Sequence, residues 1–212
     1  MMLSNLNGPD SAAYYWVFKN GLTNKFCDEV VRYSLSQKDS IAVTGGFEKK
    51  KLSKEDLKKL KSVRDSNIVW LNENWIYKEI HPFVIEANKK AGWNFQWDYS
   101  EDCQFTKYKI GQYYTWHTDT ILKKSRDDKI RKLSMSCILS NSNEYEGGEF
   151  EFDSRNYNPN MRDEYKHIHR INNKLPKGSI IIFPSFMWHR VKPVTSGTRY
   201  SLVSWQVGDP FK

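Results

Sequence analysis

The second half of the chain is a string of short β-rich runs: FQW, CQFTKYKI, YYTWHT, KLSMSCILS, GGEFEF, GSIIIFP, HRVKPV and TRYSLVSWQV. Gly, Pro, Asn and Asp divide them. Strands this short cannot bury an apolar face alone. Many of them, separated by turn residues, point to two facing sheets in a sandwich or jelly roll. Two longer segments interrupt the pattern, 120–131 and 153–174. The second is polar and poorly periodic, and loops of that length in a compact domain are usually functional or mobile.

The first half reads as helices with short strands. YYWVFKN (14–20) is an opening strand. Thr23 caps a helix to about Leu35, with Phe26, Val30 and Val31 in its apolar stripe. Ser53 and Asp56 form a capping box for a short basic helix, and SNIVWL (66–71) is a strand. NENWIYKEIHPFVIEANKKAGW is a long amphipathic helix that Pro82 bends or splits. The expected class is α+β with a mainly β core, a jelly roll backed by N-terminal helices.

Composition narrows the function classes. Aromatics at 15% and apolar residues at 39% exclude a disordered chain. No apolar run approaches the roughly 20 residues of a membrane span, and the first residues lack a basic start followed by an apolar run. A cytoplasmic location is expected. Cys27, Cys103 and Cys137 are odd in number and widely spaced, which suits free thiols and disfavours thiolate zinc sites. The net charge of +8 concentrates in KKKLSKEDLKKLK (49–61) and KKSRDDKIRK (123–132). Each run is either a solvated face or a surface that attracts an acidic peptide or a nucleic acid.

The chemistry centres on YYTWHTDT. Residues i and i+2 of a strand face the same way, so His117 and Asp119 can enter one cavity. His-x-Asp alone arises often by chance. His189 supplies a third donor, after an apolar strand and a Pro-Ser turn. Two histidines and a carboxylate leave three adjacent positions of an octahedral ion open, the donor set of non-haem Fe(II) oxygen chemistry. Catalytic zinc is the chemical runner-up. Arg199 favours iron: it stands ten residues after His189, with Ser201 on the same face. A buried guanidinium grips a dicarboxylate co-substrate bidentately, and a hydrolytic zinc site needs no such group.

With these residues in register, the chain resembles the Fe(II)- and 2-oxoglutarate-dependent dioxygenases of the prolyl 4-hydroxylase-like, PKHD-type branch. The resemblance runs over about Gln104 to Gln206. It rests on His117-Thr118-Asp119, His189, Arg199 and Ser201, on YKIGQYYTWHTD with Tyr108, Gly111 and Tyr114, on YEGGEFEF, and on the block LPKGSIIIFPSFMWHRVKPVTSGTRYSLVSWQ. It implies a double-stranded β-helix at 101–212, with 1–100 as a support region of the same domain. It further implies that His117, Asp119 and His189 bind Fe(II), and that Arg199 pairs with 2-oxoglutarate, aided by Ser201 and Tyr108. O2 is the co-reactant and ascorbate the reductant. The expected substrate is a prolyl residue of a peptide or protein. Candidate substrate-side residues are Tyr114, Trp205, Lys123 and Lys124. Trp116 and Trp205 also read as wall residues, and Lys123 and Lys124 sit where a substrate-covering loop would select acidic neighbours. The His-Ile-His at 167–169 lacks a third partner nearby and reads as surface. The rivals are a hydroxylase of free amino acids, a nucleic-acid demethylase and a non-catalytic jelly-roll binding module. RYSLVSWQV lacks the additional arginines and asparagines of the demethylase branch.

Overall fold

The structure, a computed structural model, describes residues 13–43, 52–120, 128–153, 168–171 and 175–211. Among the described residues, three helices lie in the first half, each where the chain's own signals put it. Helix α1 (Asn24–Ser36) starts at Thr23, whose Oγ1 accepts from the Phe26 amide at 3.1 Å. Helix α2 (Lys54–Val63) starts with the expected capping box between Ser53 and Asp56. Helix α3 (Asn74–Lys90) buries Ile76, Ile80, Val84 and Ala87, spaced three or four residues apart on one face. It runs through Pro82 without being split, contrary to one of the two outcomes expected of that proline. Packing of the apolar face outweighs the one backbone hydrogen bond a proline removes.

The strands form two main sheets. The eight-stranded sheet runs β1 (Trp16–Phe18), β12 (Ile180–Pro184), β8 (Ile130–Ile138), β15 (Arg199–Gly208), β6 (Cys103–Tyr108), β4 (Asn67–Leu71) and β2 (Ser40–Ile41), with β5 (Tyr99–Ser100) also pairing β15. The five-stranded sheet runs β11 (Ile168–Arg170), β10 (Phe150–Asp153), β13 (Trp188–Val191), β7 (Tyr113–His117) and β3 (Arg64–Asp65). A small ribbon joins β9 (Tyr145–Gly147) to β14 (Val194–Gly197). HRVKPV is therefore two strands, not one, because Pro193 has no amide to donate to a continuing ladder. Strands of the first half enter both sheets, so that half is more than a helical layer.

Two apolar cores sit on opposite sides of the large sheet. Leu133, Cys137, Ile180, Ile182 and Leu202 pack with Val30 of α1 and with Ile76, Ile80 and Val84 of α3. Ile181 and Phe183, one residue out of phase, pack with Phe150, Phe152 and Val191 of the smaller sheet. Strand β12 is covered on both faces, which is why it reads as an unbroken apolar run. Elsewhere the inward face turns polar. Gln104, Thr106, Arg199 and Ser201 line a cavity between the sheets, while Phe105 and Leu202 beside them face the helices. Among the described residues, no helix is long and apolar enough to cross a membrane. All three cysteines are buried and free.

Candidate active site

His117 ends β7, Asp119 follows it, and His189 lies in β13 directly across the ladder from His117. One ligand atom from each of the three lies within 4.8 Å of the others. Nε2 of His117 is 3.7 Å from Asp119 Oδ1, and Nε2 of His189 is 3.6 Å from Asp119 Oδ2. The ring orientations have a local cause. His117 Nδ1 lies 2.8 Å from the Thr115 carbonyl, and His189 Nδ1 lies 2.9 Å from the Met187 carbonyl. A carbonyl only accepts, so each Nδ1 carries the hydrogen and each Nε2 presents its lone pair.

Asp119 is held from behind. Its Oδ2 accepts from Ser134 Oγ at 2.7 Å, Ser134 is 2.9 Å from Ser185 Oγ, and the Asp119 amide donates to the Ser185 carbonyl at 2.9 Å. Burial alone would raise its pKa, but His189, His117, Arg131 and the Ser134 hydroxyl outweigh burial and bring it to about 2. Burial, helped by neighbouring His189, pushes His117 down to about 3. The close His117–Asp119 approach is therefore not an ion pair at neutral pH. It sets an uncharged imidazole beside a carboxylate, the protonation state in which both ligate a cation. These donors could hold a divalent metal ion.

A β-bulge completes the wall. The ladder pairs His189 with His117 and Val191 with Tyr114, so three steps along β7 match two along β13. Tyr114 and His117 thus face the same cavity although they are three residues apart. Their rings stack at 3.5 Å between centroids. Burial raises the Tyr114 hydroxyl to about 12. Phe150 stacks on His189 at 5.5 Å, and Phe183 meets it edge-on at 4.7 Å. These rings keep water from the histidine's apolar side.

The cavity has a volume of about 420 Å³ and contains the triad, Arg199, Ser201, Tyr108, Tyr114 and Trp205 in its lining. Arg199 is 2% exposed, and its Nε and Nη1 have no hydrogen-bond partner among the described residues. An unpartnered buried guanidinium is costly, so its donors suit an anionic ligand. Arg199 pairs with Tyr108 in the ladder, and its Cζ lies 5.7 Å from the Tyr108 ring centroid. Gly148 lets the arginine pass: its φ is +62°, and a Cβ there would lie 2.8 Å from Arg199 Cδ. The residues thus suit both a divalent ion and a dicarboxylate. Lys123 and Lys124 lie outside the described residues, as does His167. His169 is exposed on β11.

Sequence reasoning passed over Arg64, Trp70, Gln104, Thr106 and Arg131, all in the cavity wall. Arg131 stacks on Trp205, 3.9 Å from the ring centroid, and pairs with Glu101. One signal was available: in CQFTKY every second residue is polar or aromatic with a hydroxyl, which gives β6 a polar inward face.

Residues 103–207 match the family model of the 2OG-Fe(II) oxygenase superfamily. A PKHD-type hydroxylase of Synechococcus sp. (strain JA-2-3B'a(2-13)) is 36% identical over 99 residues, covering 46% of this chain and 39% of that protein. A PKHD-type hydroxylase of Psychrobacter sp. (strain PRwf-1) is 38% identical over 104 residues, 48% of this chain and 36% of the relative. The chain thus spans about two fifths of the length of these curated relatives. Among solved structures, the viral collagen prolyl hydroxylase of Paramecium Bursaria Chlorella virus-1 superposes with a TM-score of 0.65 at 20% identity, over 95% of this chain and 99% of that one. A Trichoplax adhaerens prolyl hydroxylase bound to a hypoxia inducible factor peptide fragment gives 0.64 at 18% identity, over 91% of this chain and 83% of that one. The two structures share the fold. The family-model match places residues 103–207, the segment that carries the three candidate metal ligands and Arg199, in the 2OG-Fe(II) oxygenase superfamily.

Proposed function

We propose that this protein is an Fe(II)- and 2-oxoglutarate-dependent dioxygenase that hydroxylates an unactivated C–H bond, with a prolyl residue of a peptide or protein as the substrate. The observation that carries the reading is the pairing, in one cavity, of the His117–Asp119–His189 cluster with the buried, unpartnered donors of Arg199. The prolyl substrate is supported by the PKHD-type and prolyl hydroxylase relatives.

In this reading His117 Nε2, Asp119 and His189 Nε2 would hold the iron, and the Ser134 hydroxyl fixes the Asp119 carboxylate. The ferrous ion, when bound, supplies oxygen activation and C–H oxidation. Arg199 takes the distal carboxylate of 2-oxoglutarate, and Ser201 and Tyr108 border that end of the site. That would fix one end of the co-substrate in the cavity that the triad also lines. Tyr114, Phe150 and Phe183 exclude water from the reacting centre. Tyr114 and Trp205 then border the substrate.

The test is incubation of proline-containing peptides with the protein, Fe(II), 2-oxoglutarate and ascorbate, read by mass spectrometry together with succinate release. A +16 Da product on proline, with matching succinate, is expected. The same shift on a free amino acid would move the assignment to a small-molecule hydroxylase. Demethylation of a nucleic acid would move it to that branch. No 2-oxoglutarate turnover with any of these would leave a binding module.

A further inference from the structure

We infer that Arg64 forms a binding subsite for a carboxylate of the substrate. The inference rests on the hydroxylase reading and adds the chemistry by which that site chooses what it hydroxylates.

Among the described residues, three arginines line the cavity, and they differ in what balances them. Arg131 is paired with Glu101 at 2.5 Å. Arg199 would be matched by the distal carboxylate of 2-oxoglutarate. Arg64 is 5% exposed, and among the described residues no carboxylate pairs with it. Its contacts are neutral: Nε donates to Ser66 Oγ at 3.0 Å, Nη2 donates to Gln104 Oε1 at 2.6 Å, and its face covers the Tyr114 ring at 4.6 Å. These contacts use one edge and one face of the fork and hold it rigid, while Nη1 makes no hydrogen bond among the described residues. The charge balance isolates the same residue. Bound Fe(II) and 2-oxoglutarate cancel each other, and Asp119 and Glu101 offset two of the three arginines. Among the described residues, one positive charge is left in a wall of low exposure, where an unmatched ion is costly. A substrate carboxylate would cancel it.

The geometry also says where that carboxylate sits. Arg64, Tyr114 and His117 are layered, with the guanidinium 4.6 Å from the tyrosine centroid and the tyrosine 3.5 Å from the imidazole centroid. The anionic group is thus one aromatic layer beyond the triad. That suits a group next to the oxidised carbon, either an acidic side chain beside the target residue or the α-carboxylate of the target itself.

Paired ligands decide this by binding, without turnover. The protein with Mn(II) in place of Fe(II) and saturating 2-oxoglutarate is titrated by fluorescence, since Trp70 and Trp205 line the cavity. The ligands are the blocked peptides Gly-Glu-Pro-Gly and Gly-Pro-Glu-Gly, their Gln counterparts, and free L-proline against L-prolinamide. A charge-assisted bond predicts that at least one acid binds about tenfold to a hundredfold tighter than its amide. A peptide pair identifies a side-chain carboxylate, and the proline pair identifies an α-carboxylate. Arg64→Gln should remove the preference, and Arg64→Lys should keep part of it. Gln104→Glu supplies a carboxylate from within the wall, so it should remove the preference even if Arg64→Gln fails to fold, with the melting temperature as the folding check. Acid and amide binding within about threefold in every pair, or a preference that survives Gln104→Glu, overturns the inference. A preference in binding without any hydroxylation would sink the proposed reaction and leave the subsite standing.

Discussion

Arg199 shows how one residue couples position to chemistry. Alternation along β15 turns it inward with Ser201, and the glycine at 148 leaves room for its stem. Arg199→Met keeps much of the volume and removes the charge. The expected result is a 2-oxoglutarate dissociation constant raised about tenfold to a hundredfold, the worth of a charge-assisted bond, with Mn(II) affinity little changed. Calorimetric titration of each ligand separates the two. Gly148→Ala acts on the same residue from the other side. The left-handed backbone there disfavours any side chain, and the new methyl would press on Arg199 Cδ. Alanine should cost about 1 kcal/mol or more of stability and weaken 2-oxoglutarate binding, as urea unfolding and the same titration would reveal. His117 with Asp119, and Arg199 with Ser201, were legible as pairs sharing a strand face, because period-two alternation is a property of the local chain; that His189 and Arg199 reach the cavity of His117 is a matter of packing. Arg64 was not legible: nothing in VRDSN says that an edge strand would lay this arginine over Tyr114.

Elements were legible where their signals are short-range. The caps at Thr23 and Ser53 were readable because a side-chain oxygen satisfies an amide three residues on, whatever the rest of the fold does. The bulge in β7 was not readable, since it exists only against the register of β13. A clamp on the smaller sheet makes the same point. Glu151 of β10 is fully buried between Arg190 of β13 and Arg170 of β11, and Arg190 stacks on Trp116 at 4.5 Å. Burial opposes ionisation of Glu151, but the two arginines prevail and its pKa is lowered. A lowered carboxylate stabilises the fold above its unfolded value of about 4.3, and that contribution is lost as pH falls through the folded value. Glu151→Gln should therefore cost about 1–2 kcal/mol at pH 7, and the gap to the parent protein should close as pH falls below about 4. Urea midpoints measured across that range test the sign.

At the scale of the molecule, ligands should report that the site is assembled in the folded state alone. A ligand at about a hundred times its dissociation constant adds about 2.7 kcal/mol. Mn(II) with 2-oxoglutarate should raise the melting temperature of the parent protein. With His189→Ala the shift should shrink sharply, which differential scanning calorimetry would measure. The basic run at 123–132 changes meaning at this scale. Among its described residues, Lys129 bonds Asp98 and Asp209, Arg131 pairs with Glu101, and Lys132 lies over Phe211 at 3.8 Å. Much of a run that reads as a solvated charge cluster thus ties β8 to the neighbouring loop and the last residues. The alternation of strands, the helix caps and the donor types were written in the chain, because each depends on neighbours a few residues away. The closing of two sheets around one cavity, the alignment of His117 with His189, and the placing of an unbalanced Arg64 in its wall depend on strands far apart in sequence, and only their pairing and packing settle them.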